Sequence, residues 1–298
     1  IKLKLKKYAV AGMIPELLDL KYLYIEVNSN IYYNTNRAPS AAYVSSVVQN
    51  NATKYAESSE MNKYGARFKY SKFLNIIDQS NESITSNITT IYIRRDIRAV
   101  LNAFAEYQIG FGNEFHIKSM SGYNIKSSAF KVAGIMDDVY ISDIPNTNKI
   151  SGSLFLFTVP SIASQSPTII KRNVGSINYK EGIITINPIN IQSGMQKDGQ
   201  TVIEISACPF SNDVIGLQDL YLQLDINNSS FNTVVDEIAS GLDPSGSNYI
   251  TSSSYANGNL VRAGGRDAAT QTTVARDSTP STSTSTSTTA STSGASSY

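Results

Sequence analysis

The sequence predicts an α+β protein: a small sheet covered by two helices, then a β-rich region, then a disordered Ser/Thr-rich tail. Three observations carry this reading. Across 39–95 the spacing of apolar residues passes from helical to alternating. After about Ile109, short alternating runs recur between Gly and Ser residues. From Gly264 the composition shifts, ending in a nearly pure Ser/Thr run over 278–297 that lacks the apolar surface to offset its ordering entropy. The expected units are a strand–helix–helix–strand module over 1–108, a β-rich domain over 109–263 and the tail over 264–298.

The elements follow in order. Residues 1–7 alternate like an edge strand, and an opening at Ile1 rather than Met reads as a fragment lacking upstream sequence. In 22–33, Leu23, Ile25 and Val27 alternate with Tyr24, Glu26 and Asn28, as a strand requires. Pro39 and Ser40 suit a helix start, with Ser40 able to accept a first-turn N–H. Tyr43, Val44, Val47, Val48, Ala52, Tyr55 and Ala56 then mark one helical face, and Gly65 is the expected stop. Ser71 is the expected cap of a second helix carrying Phe73, Leu74, Ile77 and Ile84. In 88–95, Ile91 and Ile93 point one way and Thr90, Tyr92 and Arg94 the other. Both helices should lie across this sheet, covering Val44, Val48, Ala52 and Tyr55.

Val100, Leu101 and Phe104 suit a short helical turn. Strands are expected over 114–118, 130–135 and 139–141, and Leu154-Phe155-Leu156-Phe157 reads as a strand buried on both faces. Ile177 and Tyr179, then Lys180-Glu181-Gly182, then Ile184 and Ile186 form a hairpin signal. Ile203, Ile205 and Ala207 alternate, as do Leu220, Leu222, Leu224 and Ile226.

The formal net charge of +1 gives no general attraction to nucleic acid or anionic lipid, and no apolar run is long enough to span a bilayer. Cys208 and His116 are the single cysteine and histidine, so neither an intrachain disulfide nor a Cys/His zinc site can be assembled. His116, between Phe115 and Ile117, reads as a structural strand residue, with no nucleophile motif beside it. Asp137-Asp138 lacks the ligand spacing of a calcium loop and reads as a solvated turn. Gly110-Phe111-Gly112 lacks the Gly-Lys-Ser/Thr ending of a phosphate loop.

Two basic stretches carry more interest. Lys63-Tyr64-Gly65-Ala66-Arg67-Phe68-Lys69-Tyr70 interleaves cations and aromatics, as single-stranded nucleic acid sites do, but the near-neutral overall charge favours a connection whose rings pack under the helices while Lys and Arg point to water. Arg94 and Arg95, with Asp96 and Arg98, could reach a partner's carboxylates, and an ordinary charged strand end explains them equally well.

Lys63 to Tyr70, Ser86-Asn87-Ile88-Thr89-Thr90 and Ile93-Arg94-Arg95-Asp96 together resemble the baseplate wedge protein of T-even-type contractile-tailed phages, most closely its marine and cyanobacterial versions. Tyr123-Asn124-Ile125-Lys126-Ser127-Ser128, Val174-Gly175-Ser176-Ile177-Asn178-Tyr179 and Ser211-Asn212-Asp213-Val214-Ile215-Gly216-Leu217-Gln218-Asp219-Leu220-Tyr221 extend the resemblance over most of 2–262, as the C-terminal portion of a longer family chain.

The resemblance implies a non-enzymatic structural subunit with no catalytic, cofactor or metal site. It implies a homodimer that joins other wedge subunits, builds a ring around the hub and rearranges when the sheath contracts. Nucleic acid, membrane and small-molecule substrate are not expected partners. The implied location is the virion tail baseplate, with host cytoplasm during assembly. Arg67, Phe68, Tyr70, Asp213, Leu217 and Tyr221 are the implied interface or structural positions, alongside Arg94 and Arg95. The competing class is a tail-associated adhesin or host-recognition module, suggested by the β-rich half and the Ser/Thr tail.

Overall fold

A computed structural model describes residues 21–38, 40–117, 123–159, 168–217 and 220–241, and the backbone of 255–256 and 259–260. The expected edge strand over 1–7, Pro39 and the Ser/Thr tail lie outside the described residues. The chain runs β1 (Lys21–Tyr33), α1 (Ala41–Ala56), β2 (Arg67–Phe68), α2 (Tyr70–Asp78), β3 (Ile84–Arg98), β4 (Ala105–Gly110), β5 (Lys126–Ser127), β6 (Lys131–Val132) and β7 (Tyr140–Pro145). It continues with β8 (Ser151–Thr158), β9 (Thr168–Asn178), β10 (Ile183–Ile189), β11 (Ile191–Ser193), β12 (Met195–Lys197) and β13 (Gln200–Ala207). It closes with β14 (Val214–Ile215), β15 (Leu220–Leu224), β16 (Ser230–Val235), α3 (Glu237–Ser240), β17 (Tyr255–Ala256) and β18 (Asn259–Leu260).

β1 is the spine. Its alternation buries Leu23, Ile25, Val27 and Ile31 on one face. It pairs antiparallel with β3, and on its other edge parallel with β15 and then β16. The sheet is larger than the sequence suggested: seven strands, ordered β12-β13-β3-β1-β15, with β16 on β1 and β5 on β13. It draws strands from both sides of residue 108. A second, five-stranded sheet, β4-β10-β9-β8-β7, is antiparallel throughout. Its β9–β10 hairpin turns at Gly182, whose φ of +64° and close approach to the Asn113 carbonyl leave no room for a side chain. Leu154, Phe155 and Leu156 of β8 are buried on both faces of the strand.

The helices bury Val44, Val48, Ala52 and Tyr55 from α1 and Phe73 and Ile77 from α2. Rings of Tyr55, Phe68 and Phe73 meet at centroid separations of 5.3 to 6.2 Å, placing Phe68 in the core. Ser40 caps α1 as expected, its hydroxyl accepting from the Tyr43 N–H.

Several expected elements differ. α1 stops at Ala56, well short of Gly65, because Ser58 returns both its N–H and its hydroxyl to the Tyr55 carbonyl. α2 begins one residue before Ser71, and its N-cap Lys69 offers no side-chain bond; the Tyr70 N–H donates instead to Asp213, remote in sequence. Ile84 opens β3 rather than ending α2. Val100, Leu101 and Phe104 form no helical turn, since Leu101 bridges Ile191 and Asn102 adopts a left-handed φ of +57°. The strand expected over 114–118 reduces to a single bridge between Phe115 and Pro209 where described, Lys118 lying outside the described residues, and that over 130–135 reduces to two-residue β6.

A buried polar knot ties the two sheets together. Asp143 of β7 accepts from the Asn124 and Ile125 N–H groups at 2.8 and 2.7 Å, and from the Tyr179 hydroxyl at 2.6 Å. Asn124 in turn donates its amide to the His116 and Cys208 carbonyls, and its side-chain oxygen accepts from the Cys208 N–H. Burial, reinforced by Asp143, pushes the Tyr179 phenol far above its ordinary range, so it stays a donor.

Candidate interaction surface

Alternation along β1 and β3 turns Tyr22, Tyr24, Glu26, Tyr92, Arg94 and Asp96 away from the apolar core. Cross-strand register adds Glu204 beside Asp96, and Asp225 lies just past β15. Arg94 is the centre of this group, with only 3% of its side chain exposed. Nη1 lies 2.6 Å from Glu26 and 3.6 Å from Glu204, and Nη2 lies 2.9 Å from Asp225. Nε lies 3.1 Å from Asp96 Oδ1 without hydrogen-bond alignment, so that pair interacts through charge alone. Lys197 adds contacts of 2.6 Å to Asp96 and 3.6 Å to Glu204. Both cations also sit against the Tyr24 ring, at 4.7 and 5.1 Å from its centroid.

Four carboxylates thus face two cations, leaving this end of the face net acidic. Burial works against the Arg94 charge, but the four carboxylates outweigh it and hold the guanidinium above its ordinary value. Burial raises the Glu26 carboxyl, with Arg94 opposing. Burial would also raise Asp225, but hydrogen bonds from Asn228 and the Arg94 charge hold it below the usual range.

From Tyr24 a ladder of rings crosses the sheet. Tyr24 stacks on Tyr22 at 5.7 Å, Tyr22 meets Tyr221 edge-on at 5.8 Å, and Tyr221 meets Tyr64 edge-on at 5.6 Å. The Tyr221 hydroxyl bonds to Asn62, and a β-bridge joins Tyr64 to Tyr221. Tyr64 is 61% exposed.

The basic–aromatic link over 63–70 and the block over 211–221 come together here. β2 pairs with β14, the Gly216 N–H donates to the Ala66 carbonyl, and Asp213 caps α2. Tyr70 secures α2 to β3 through its hydroxyl, 2.7 Å from the Thr89 carbonyl. Arg67 is exposed, whereas Phe68 is fully buried. Leu217 is half exposed and packs so close to Gly112 that a Cβ there would lie 2.3 Å from its Cδ1. Arg95 points to the opposite face from Arg94, bonding the Gly110 carbonyl, and with Leu217 lines a cleft of about 340 Å³.

Glu26, Glu204 and Asp225 escaped the sequence reading as partners for Arg94, and so did Tyr22 and Tyr24 as a ladder with Tyr221. The available signal was an acidic or aromatic residue at the outward position of several strands, which becomes a site only once register is known. Asp137 and Asp138 are exposed, and no cluster of metal-ligating side chains occurs among the described residues.

Residues 21–96, about a quarter of the chain, match the family described as baseplate structural protein gp6, C-terminal domain III. That segment spans β1 through all but the end of β3 and contains Arg94 and Asp96. Among curated proteins, none matches the chain.

Proposed function

From the premise that residues 21–96 form a gp6 C-terminal domain III, we propose that the chain is a structural subunit of a contractile-tailed phage baseplate. In this reading it belongs to the wedge, pairs with a second copy of itself and joins other wedge subunits into the ring around the hub. The family match is the observation that carries the reading. The geometry is compatible with it: the outward polar groups are held by neighbouring side chains rather than aimed into a reaction cleft, which suits a packing surface more than a catalyst. The ring would rearrange on sheath contraction, with this domain moving as a body because both of its sheets share one apolar core. The host-recognition alternative rests on the β-rich half, which a structural subunit would share, and on the Ser/Thr tail, which lies outside the described residues.

Light scattering after size-exclusion chromatography, over a concentration series, tests the self-pairing. A mass of twice the 32.4 kDa chain is expected. A chain that remains monomeric at the highest concentration attainable would remove the dimer from this reading.

A further inference from the structure

β4 closes the five-stranded sheet on one side: it pairs with β10, and among the described residues no strand pairs with its other edge. The Phe111 N–H donates to the Gly182 carbonyl, so by the antiparallel register Ile109 and Tyr107 turn their backbone groups inward to β10. Glu106, Gln108 and Gly110 therefore turn theirs outward, and Arg95 takes the Gly110 carbonyl. The cleft of about 340 Å³ opens along the Gln108–Gly110 end of this edge. It lies between the two sheets, with Gln108 and Gly110 on one side and Lys21 of β1, Arg95 of β3 and Leu220 of β15 on the other.

We propose that this cleft takes an extended segment of another protein, which adds to β4 as a further strand and carries an acidic residue among apolar ones. Outward backbone groups recurring at every second residue fit an extended chain, whose own donors and acceptors repeat at the same interval. The wall supplied by β1, β3 and β15 faces that edge, so a single strand can enter where the edge of another folded sheet, a second copy of this one included, would be stopped. Lys21 and Arg95 against Glu181 give the cleft a net positive charge, which selects the acidic residue. Ile183, Leu217 and Leu220 supply the apolar contact. The inference stands on the cleft and goes beyond the subunit reading, which survives its failure.

The test reads the full chain by amide hydrogen exchange and by selection from a library of random heptapeptides. In the free chain the Gln108 and Gly110 N–H groups should exchange fast, and those of Tyr107 and Ile109 slowly. Selected peptides should carry Asp or Glu among alternating apolar residues and slow the exchange at Gln108 and Gly110. They should bind at least about tenfold more weakly to Gly110→Val and to Gln108→Pro than to the wild type. A Cβ added at Gly110 meets no atom within 4 Å, so valine fills the cleft without disturbing the sheet. Proline at 108 removes an outward donor and leaves the bonds to β10 in place. Gln108→Ala keeps that donor and should bind like the wild type, which separates a main-chain contact from a side-chain one. Should Gln108→Pro fail to fold, Gly110→Val decides alone. A library that yields no binder, or binders indifferent to the variants, overturns the proposal. So does protection of Gln108 and Gly110 in the free chain: lost on dilution, it would assign the edge to a second copy, and persisting, to the chain itself.

Discussion

Replacing Arg94 with Met keeps an unbranched side chain in the sheet and removes the cation that four carboxylates surround. Arg94 is almost fully buried, with carboxylate oxygens at 2.6, 2.9, 3.1 and 3.6 Å, so its partners cannot simply rehydrate in place. Removing one member of a buried ionic cluster costs about 3–5 kcal/mol, chiefly because the remaining charges stay buried. Only Lys197 is left to offset them.

The pH response near neutrality should steepen. In the wild type, Asp225 is held below its ordinary value, so its stabilisation is present above the unfolded-state pKa. It is lost as pH falls through the depressed folded value, below about pH 4. Glu26 acts oppositely: its carboxyl is raised by burial, so the cost of ionising it appears as pH rises through the raised value. In Arg94→Met Glu26 loses the one charge that opposed its raised value, whereas Asp225 keeps the Asn228 hydrogen bonds that hold it down. At Glu26 the folded variant then takes up a proton before the unfolded chain does. Its stability should rise between about pH 7 and pH 5, by up to roughly 1.4 kcal/mol per pH unit for each additional proton bound. Urea denaturation at both pH values, at constant m, measures this. A loss below about 1 kcal/mol at neutral pH, the scale of an exposed pair, would refute the reasoning. So would a variant that is no more stable at the lower pH than at the higher.

Two further substitutions probe the scaffold. Asp143→Ala strands two backbone N–H groups and the Tyr179 hydroxyl in the interior, and should cost about 3–5 kcal/mol, against about 1–2 kcal/mol for Tyr179→Phe. Denaturation midpoints of the two variants give the comparison, and equal losses would mean that the backbone donors find other partners. Asp213→Ala removes the remote cap of α2 and should cost about 0.5–2 kcal/mol, with faster amide exchange at Tyr70 as the local readout. Unchanged exchange there would show that water serves as well.

Local pattern carried much of this fold. The alternation of Leu23, Ile25 and Val27, and of Leu220, Leu222 and Leu224, announced the two strands, because each has a single buried face. Their parallel pairing was not legible, since nothing in a half-buried strand encodes a neighbour some 200 residues away in either direction. For the same reason Arg94 read as a charged strand end: its four carboxylates reach it from β1, β3, β13 and the residue after β15. The blocks over 63–70 and 211–221 were both visible as sequence, and their meeting through β2 and β14 was not. Helix ends failed where a hydroxyl competed for the backbone, at Ser58, or where a distant carboxylate did the capping, at Asp213.

The parallel seam along β1 has a mechanical consequence. Lys21 pairs with Leu220 at one end of the strand, and Tyr33 with Val235 at the other. Tension applied between residues 21 and 235 therefore pulls β1 and β16 along their length in opposite directions. Their hydrogen bonds are loaded side by side and must give way nearly together, whereas a hairpin pulled at its open ends peels one bond at a time. The antiparallel pairing of β3 along the opposite edge of β1 adds a second brace. Resistance to such a pull is set by the unfolding rate rather than by equilibrium stability. Cantilever extension from residues 21 and 235 should therefore give a high, single rupture peak, a property suited to a part through which force must pass without the part itself coming undone.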